Sequence, residues 1–292
     1  MTDAGAFASG KGHRDENFPV ASWLVRQELR APILAFYRFV RAADDVADHA
    51  TAGAQQKLDQ LALMEASLRG ESAGNAEGVA LRAVLQARNL TDQHARDLLE
   101  AFRRDVTKRR YADWAELMDY CRYSAAPVGR FVLDVHGETP ALWPANDALC
   151  TALQVINHLQ DCGKDYQAID RVYIPLDALA MRGATVEALA ATQASPALLQ
   201  TIADLARRTS ELLGQSRSFP HAISDWRLAM EVGAIQALAE NLASQLTQRD
   251  PLSQRVHHHK LEAAGLSLRG VLGVLIGRLG GAGRHGHPRY SG

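Results

Sequence analysis

The stretch Gln154–Tyr166, QVINHLQDCGKDY, sets Asn157, Asp161 and Asp165 four residues apart. On an α-helix that spacing stacks one carboxamide and two carboxylates along a single face. Val155, Ile156, Leu159 and Cys162 occupy positions between them, so the same helix carries apolar surface. Oxygen-bearing side chains in a row on an apolar helix are costly to bury unless positive charge sits among them. Far upstream, Asp44 and Asp48 repeat the four-residue step, with Asp45 beside them, in FYRFVRAADDVAD. Tyr37 and Arg41 fall on the same face as Asp44 and Asp48. Two acidic helices turned toward each other make a site for a hard divalent cation, here Mg2+, that keeps positions open for a phosphate-bearing ligand. The competing reading is an internal salt-bridge network in which Arg41 neutralises its neighbours. A second acidic step on a remote helix weighs against it, because the two sets repel unless a cation or protons intervene.

The rest of the chain surrounds these segments with helix-forming sequence. Ala, Leu, Arg, Gln and Glu dominate, and no run alternates apolar and polar residues long enough for a strand. The pattern predicts helices over 18–29, 32–50, 54–69, 77–88, 91–110, 113–136, 146–166, 196–216, 224–247 and 260–279. Pro32 is expected to open a helix at its first turn, and Thr91 and Asp92 to cap another. Loops are expected from Gly70 to Gly78 and from Gly137 to Asn146. No repeat and no Pro- or Ser-rich linker splits the chain. The expectation is one all-α domain over 16–280, with a disordered segment over 1–15 and a disordered tail over 281–292.

Composition closes off several functions. With 47% hydrophobic residues among 292, the chain can bury a substantial core, and a net charge of −1 supplies no field for nucleic acid or acidic lipid. Cys121, Cys150 and Cys162 lack metal-type clustering, and their odd number argues against a disulfide framework and for a reducing, cytoplasmic compartment. The N-terminus has no apolar core of signal-peptide length, and nowhere do eighteen apolar residues run together as a membrane span requires. The glycine-rich apolar segment over 266–283 reads as a C-terminal helix packed on the core. Its alternative is an interfacial helix, peripheral to the inner face of a membrane, that passes a greasy molecule to the bilayer. The triplet His257 to His259 reads as a surface run, since adjacent residues on a helix point in different directions.

Taken in order, these motifs closely resemble the squalene/phytoene synthase family of isoprenoid synthases, over about residues 16–260. Asp44, Asp45 and Asp48, following Tyr37 and Arg41, match its first aspartate-rich motif. Gln154, Asn157, Asp161 and Asp165, followed by Arg171 to Pro175, match its second. Between them Tyr120-Cys121-Arg122-Tyr123-Ser124-Ala125-Ala126-Pro127-Val128-Gly129 matches the tyrosine–cysteine segment. The resemblance implies an all-α, single-domain isoprenoid synthase fold, with helices surrounding a central active-site cavity. It also implies Mg2+ as cofactor and a prenyl diphosphate as substrate. Within the family, Glu16 to Ser22, Gln160 and Ser124 to Gly129 look most like the hydroxysqualene-forming branch of bacterial hopanoid pathways. That branch acts on presqualene diphosphate from a paralogous upstream enzyme, and a flavoprotein acts downstream. Two departures separate the chain from members that condense two farnesyl or geranylgeranyl diphosphates. Gln160 stands where those carry an arginine, and no tyrosine occurs over 224–247.

On this reading Asp44, Asp48, Asn157, Asp161 and Asp165 hold the metal, with Asp45 a further ligand or a neighbour of the ligands. Arg41, Lys164 and Arg171 add cationic hydrogen bonds to the diphosphate. Asn17, Phe18, Tyr120, Ser124, Ala125, Val128 and Gln154 are the remaining candidates for substrate contact. Phe18, Tyr120, Val128 and Leu133 would form apolar walls around a carbocation. Tyr37 and Tyr173 are expected beside the reacting group, and Ser124 is a candidate to place a water. A condensing synthase is the alternative activity. A non-catalytic assembly factor of the same fold is the alternative class, disfavoured because every motif aspartate is present.

Overall fold

A computed structural model describes residues 25–282, the last three by their backbone alone. Among the described residues the chain forms thirteen α-helices and no β-sheet. They are α1 Gln27–Ala47, α2 Ala54–Arg69, α3 Ala76–Arg88, α4 Gln93–Thr107, α5 Trp114–Ser124, α6 Ala126–Val135, α7 Trp143–Gln160, α8 Cys162–Ile169, α9 Leu176–Met181, α10 Pro196–Ser216, α11 Phe219–Ala222, α12 Trp226–Leu246 and α13 Lys260–Ala282. Side-chain caps start several of them where orphan N–H groups need partners. Asn75 accepts from Gly78 N at 2.8 Å, Asp113 from Glu116 N at 2.9 Å, and Asp225 from Arg227 N at 2.9 Å.

Three departures from the sequence expectation have local causes. Pro32 lies inside α1 instead of opening it. Its missing N–H frees only the carbonyl of Glu28, and the Arg88 guanidinium donates to that oxygen instead. The helix expected over 113–136 breaks at Ala125, whose φ of −123° leaves the helical region. Pro127, in the first turn of α6, has no N–H to continue the ladder. The helix expected over 146–166 breaks at Asp161, between α7 and α8. Residues 18–24 of the first expected helix, the segment 1–15, and the tail beyond Ala282 lie outside the described residues.

Two apolar clusters form the interior. One joins α1 through α4, with Phe131 and Val135 of α6; the other is built mainly from α5, α7, α10 and α12. In the first, Phe36 stacks on Phe131 with ring centroids 3.9 Å apart. Helices α1 and α7, which carry the acidic motifs, both pack against α6. The segments after α4 and α8 meet in one parallel bridge, Arg110 with Val172, where Val172 N donates to Arg109 O at 2.9 Å. That pairing brings Arg171 and Tyr173 to the end of α1.

Candidate active site

The first acidic step ends α1. Arg41 reaches forward one turn and donates to Asp44 at 2.7 Å and to Asp45 at 2.7 Å. Asp48 caps the helix and accepts from Arg171 Nη1 at 3.0 Å. Burial, with the neighbouring Asp48 charge, pushes the Asp44 carboxyl up to about 6 despite Arg41.

The second step straddles the α7–α8 break, yet the break does not scatter it. Asp161 N donates to Asn157 O at 2.9 Å, and Asp165 N to Asp161 O at 2.8 Å. The four-residue ladder therefore continues along this one row, and Asn157, Asp161 and Asp165 stay in register. Burial, then the Asp161 charge, pushes Asp165 up to about 7, and Asp48 and Arg171 also act on it. Asp48 and Asp165, from the two separate motifs, thus lie within mutual electrostatic reach. Lys164 is exposed, its Nζ 3.9 Å from Asp161.

Beneath the acids lies a buried polar layer that sequence reasoning did not assemble. Arg171 is 7% exposed; besides Asp48 it donates to the Asp105 carbonyl at 3.0 Å and to Tyr173 OH at 3.3 Å. Tyr120 OH donates to the Asp105 carboxylate at 2.8 Å. His158 stacks on Tyr173 with ring centroids 3.4 Å apart, and Tyr111 stacks on the same ring. Burial pushes Asp105 up to about 7 even though Arg171 and Tyr120 favour its charged form. The available signal was Asp105 on the buried stripe of α4 with Leu98 and Ala101. Lys57 and Arg109, also missed, line an open polar pocket of about 350 Å3 with Asp48, Asp105 and Arg171.

A second cavity, of about 310 Å3 and mostly apolar, adjoins the motifs through Tyr37 and Asn157, which both line it. Phe36, Val128, Leu133, Leu149, Leu228 and Ile235 contribute to its walls. Tyr120, expected as an apolar wall, is instead spent on Asp105, because a buried phenol needs a hydrogen-bond partner. Ser124 and Ala125 sit at the α5–α6 junction outside this lining, and the buried Ser124 Oγ finds no hydrogen-bond partner. Gln154 is half-buried on α7 and likewise outside it. Asn17 and Phe18 lie outside the described residues.

No group of three or more His, Cys, Asp or Glu among the described residues is gathered tightly enough to hold a metal ion alone. The donor set still fits Mg2+. It is all oxygen, split between the end of α1 and the α7–α8 junction, and burial holds its carboxyls Asp44 and Asp165 above the usual carboxylate range, Asp44 even beside Arg41. Mg2+ commonly takes one or two carboxylates and fills its remaining positions with water and phosphate oxygens.

The whole chain resembles known proteins. The squalene/phytoene synthase model matches residues 12–262. This chain belongs to that family. Hydroxysqualene synthase of Rhodopseudomonas palustris is 51% identical over 288 residues, covering 99% of each chain. Its namesake in Zymomonas mobilis is 55% identical over 276 residues, covering 94% of this chain and 93% of that one. Among solved structures, squalene synthase HpnC from Alicyclobacillus acidocaldarius superposes with a TM-score of 0.69 at 33% identity, over 78% of this chain and 86% of that one. A dehydrosqualene synthase shares the fold with a TM-score of 0.73 at 21% identity, over 87% and 89% of the two chains.

Gln160 and helix α12, singled out in the sequence, take defined places. Gln160 is buried and donates to the Val256 carbonyl, so its amide fastens the loop after α12 and adds no charge beside Asp161. On α12 the cavity-facing residues are Leu228, Glu231, Val232 and Ile235. No described residue of that helix supplies a phenol.

Proposed function

We propose that this isoprenoid synthase ionises presqualene diphosphate and lets water capture the rearranged cation, giving hydroxysqualene and diphosphate in hopanoid biosynthesis. The observation that carries the reading is the join between the acidic site and the hydrocarbon cavity at Asn157, which belongs to both. A molecule with a charged head and a long apolar body needs such a join. The hydroxysqualene synthases that match nearly this whole chain support the choice of substrate and product.

Asp44, Asp48, Asn157, Asp161 and Asp165 are the residues proposed to hold Mg2+, with Asp45 the more buried of the two carboxylates that Arg41 binds. When bound, the metal neutralises charge gathering on the diphosphate as its carbon–oxygen bond breaks. Arg171 is already fixed by Asp48, Asp105 and Tyr173, so it offers positive charge to the leaving group without reorganising. The apolar walls keep bulk water from the carbocation, and Tyr37 and Phe36 contribute aromatic rings to them. Exposed Leu268, Leu272, Ile276 and Leu279 on α13 support a peripheral bilayer contact through which the product leaves. No described helix is long and apolar enough to cross a membrane.

The test is incubation with presqualene diphosphate and Mg2+, without a nicotinamide. Hydroxysqualene and free diphosphate are the expected products. Presqualene diphosphate or a squalene-type hydrocarbon formed from farnesyl diphosphate alone would move the chain to the condensing enzymes. Asp48→Asn and Asp161→Asn are each expected to lower turnover by about two orders of magnitude or more, as loss of transition-state charge stabilisation does.

A further inference from the structure

The hydrocarbon cavity contains one feature that binding a hydrocarbon does not require. Among its described lining residues Glu231 is the one that bears a carboxyl group. It projects from α12 between Leu228 and Ile235, beside Val232, and is 8% exposed. A purely lipid-binding surface has no need of a carboxyl, and an apolar residue of similar volume would serve it. Asn157 and Tyr37 line the same cavity, so the carboxyl shares one space with the diphosphate-binding motifs.

Two chemical demands meet in that space if the proposed activity is right, and this inference rests on that reading. A carbocation freed from its diphosphate is steadied by a negative group on the cavity wall. A single water must also be held there, in surroundings that otherwise exclude water. An enclosed water needs two to four polar partners, and a carboxylate is a strong acceptor for its O–H.

We propose that Glu231 holds the capturing water and takes its proton, which makes the alcohol the product. The water oxygen forms the new carbon–oxygen bond with its lone pair. One O–H bond breaks, its electron pair stays on oxygen, and the proton passes to the Glu231 carboxylate. Nothing is oxidised or reduced, so no nicotinamide is consumed. A hydrocarbon product would instead need hydride delivery or loss of a proton from the carbon skeleton.

The experiment compares wild type, Glu231→Gln and Glu231→Asp on presqualene diphosphate with Mg2+, reading alcohol formed per diphosphate released. That ratio is insensitive to a general loss of rate, which a purely structural role would produce. For Glu231→Gln it is expected to fall about a hundredfold, the lower end of what a positioned base contributes. Alkenes or differently rearranged alcohols should take up the difference, and Glu231→Asp should restore part of the alcohol. A wild-type ratio in Glu231→Gln would overturn the proposal. So would failure of both variants to fold, which would assign the carboxyl to the architecture. Failure of the underlying activity is separately visible, as wild-type protein that releases no diphosphate from presqualene diphosphate, and it takes this inference down too.

Discussion

Arg171 Nη1 lies 3.0 Å from Asp48 Oδ1, joining the end of α1 to a residue 123 positions later in the chain. The same guanidinium holds Asp105 and Tyr173, so one side chain spans the first acidic motif and the buried layer beneath it. Replacing Arg171 by Gln strands Asp105 without its main counter-charge. Removing one member of a buried charged pair costs about 3–5 kcal/mol. Arg171→Gln should therefore lower both the urea midpoint and diphosphate release. Arg171→Lys should recover little of either, because a point charge cannot reproduce the planar fork that meets three partners. Full recovery of stability by the lysine variant would show that charge alone matters here.

Metal and pH should act on the same carboxylates. Burial and Asp161 raise Asp165 from 3.8 to about 7, and burial and Asp48 raise Asp44 to about 6. The native state then holds protons that the unfolded chain gives up near pH 4. Their stabilising contribution is complete below that value and is lost as pH rises toward 7. Through these groups metal-free protein is expected to melt lower at pH 8 than at pH 5.5. Added Mg2+ should raise the melting temperature more at pH 8, since it replaces those protons. Asp165→Asn should raise the metal-free melting temperature at pH 8 and shrink the Mg2+ response. Thermal scans in chelator and in excess Mg2+ at the two pH values check this.

His158 has the opposite sign. Burial, with Arg171 nearby, pushes it down from 6.5 to about 3. The unfolded chain takes up a proton that the native state refuses, so stability is complete above about pH 6.5 and falls as pH drops toward 3. The buried His158 Nε2 has no hydrogen-bond partner among the described residues. His158→Phe keeps a ring against Tyr173 and removes both the proton demand and the unsatisfied atom. The variant should match or exceed wild-type stability at neutral pH and lose less on acidification, measured by urea midpoints from pH 4 to 8. A steeper acid loss in the variant would mean His158 is charged in the native protein.

The acidic motifs were readable from sequence because helical spacing states which side chains share a face. Asn157, Asp161 and Asp165 kept that face even across a helix break, since the backbone bonds along their row persist. The break itself was not readable, because nothing in LQDCGK forbids a continuous helix. Pro32 misled for a related reason: the partner that tolerates it, Arg88, is remote in sequence. Asp105 was hidden by Arg103 and Arg104, which make its neighbourhood look like a solvated charged face. Its burial depends on Arg171 arriving through the Arg110–Val172 bridge, a nonlocal pairing without a periodic signature. Glu231 likewise looked like one acid in an ordinary amphipathic helix. Only the closing of α12 over α1, α6 and α7 reveals an apolar cavity around it.

Helix α13 is held against α12 by a close backbone approach, and that contact can be tested without touching the site. A Cβ on Gly270 would stand 2.2 Å from Gly233 O and 2.9 Å from Ala234 Cα. Both are backbone atoms, so no rotamer change relieves the clash and the helices must separate. Overpacking of this kind typically costs about 1–3 kcal/mol. Gly270→Ala should therefore lower the melting temperature, although alanine is the better helix former. One turn on, a Cβ on Gly273 would meet nothing within 4 Å. Gly273→Ala should accordingly stabilise the helix by about 0.5–1 kcal/mol, the usual gain when glycine leaves a helix interior. The opposite signs at two glycines three residues apart separate packing from propensity, and equal shifts in thermal melts would show that α13 does not dock on α12 in solution.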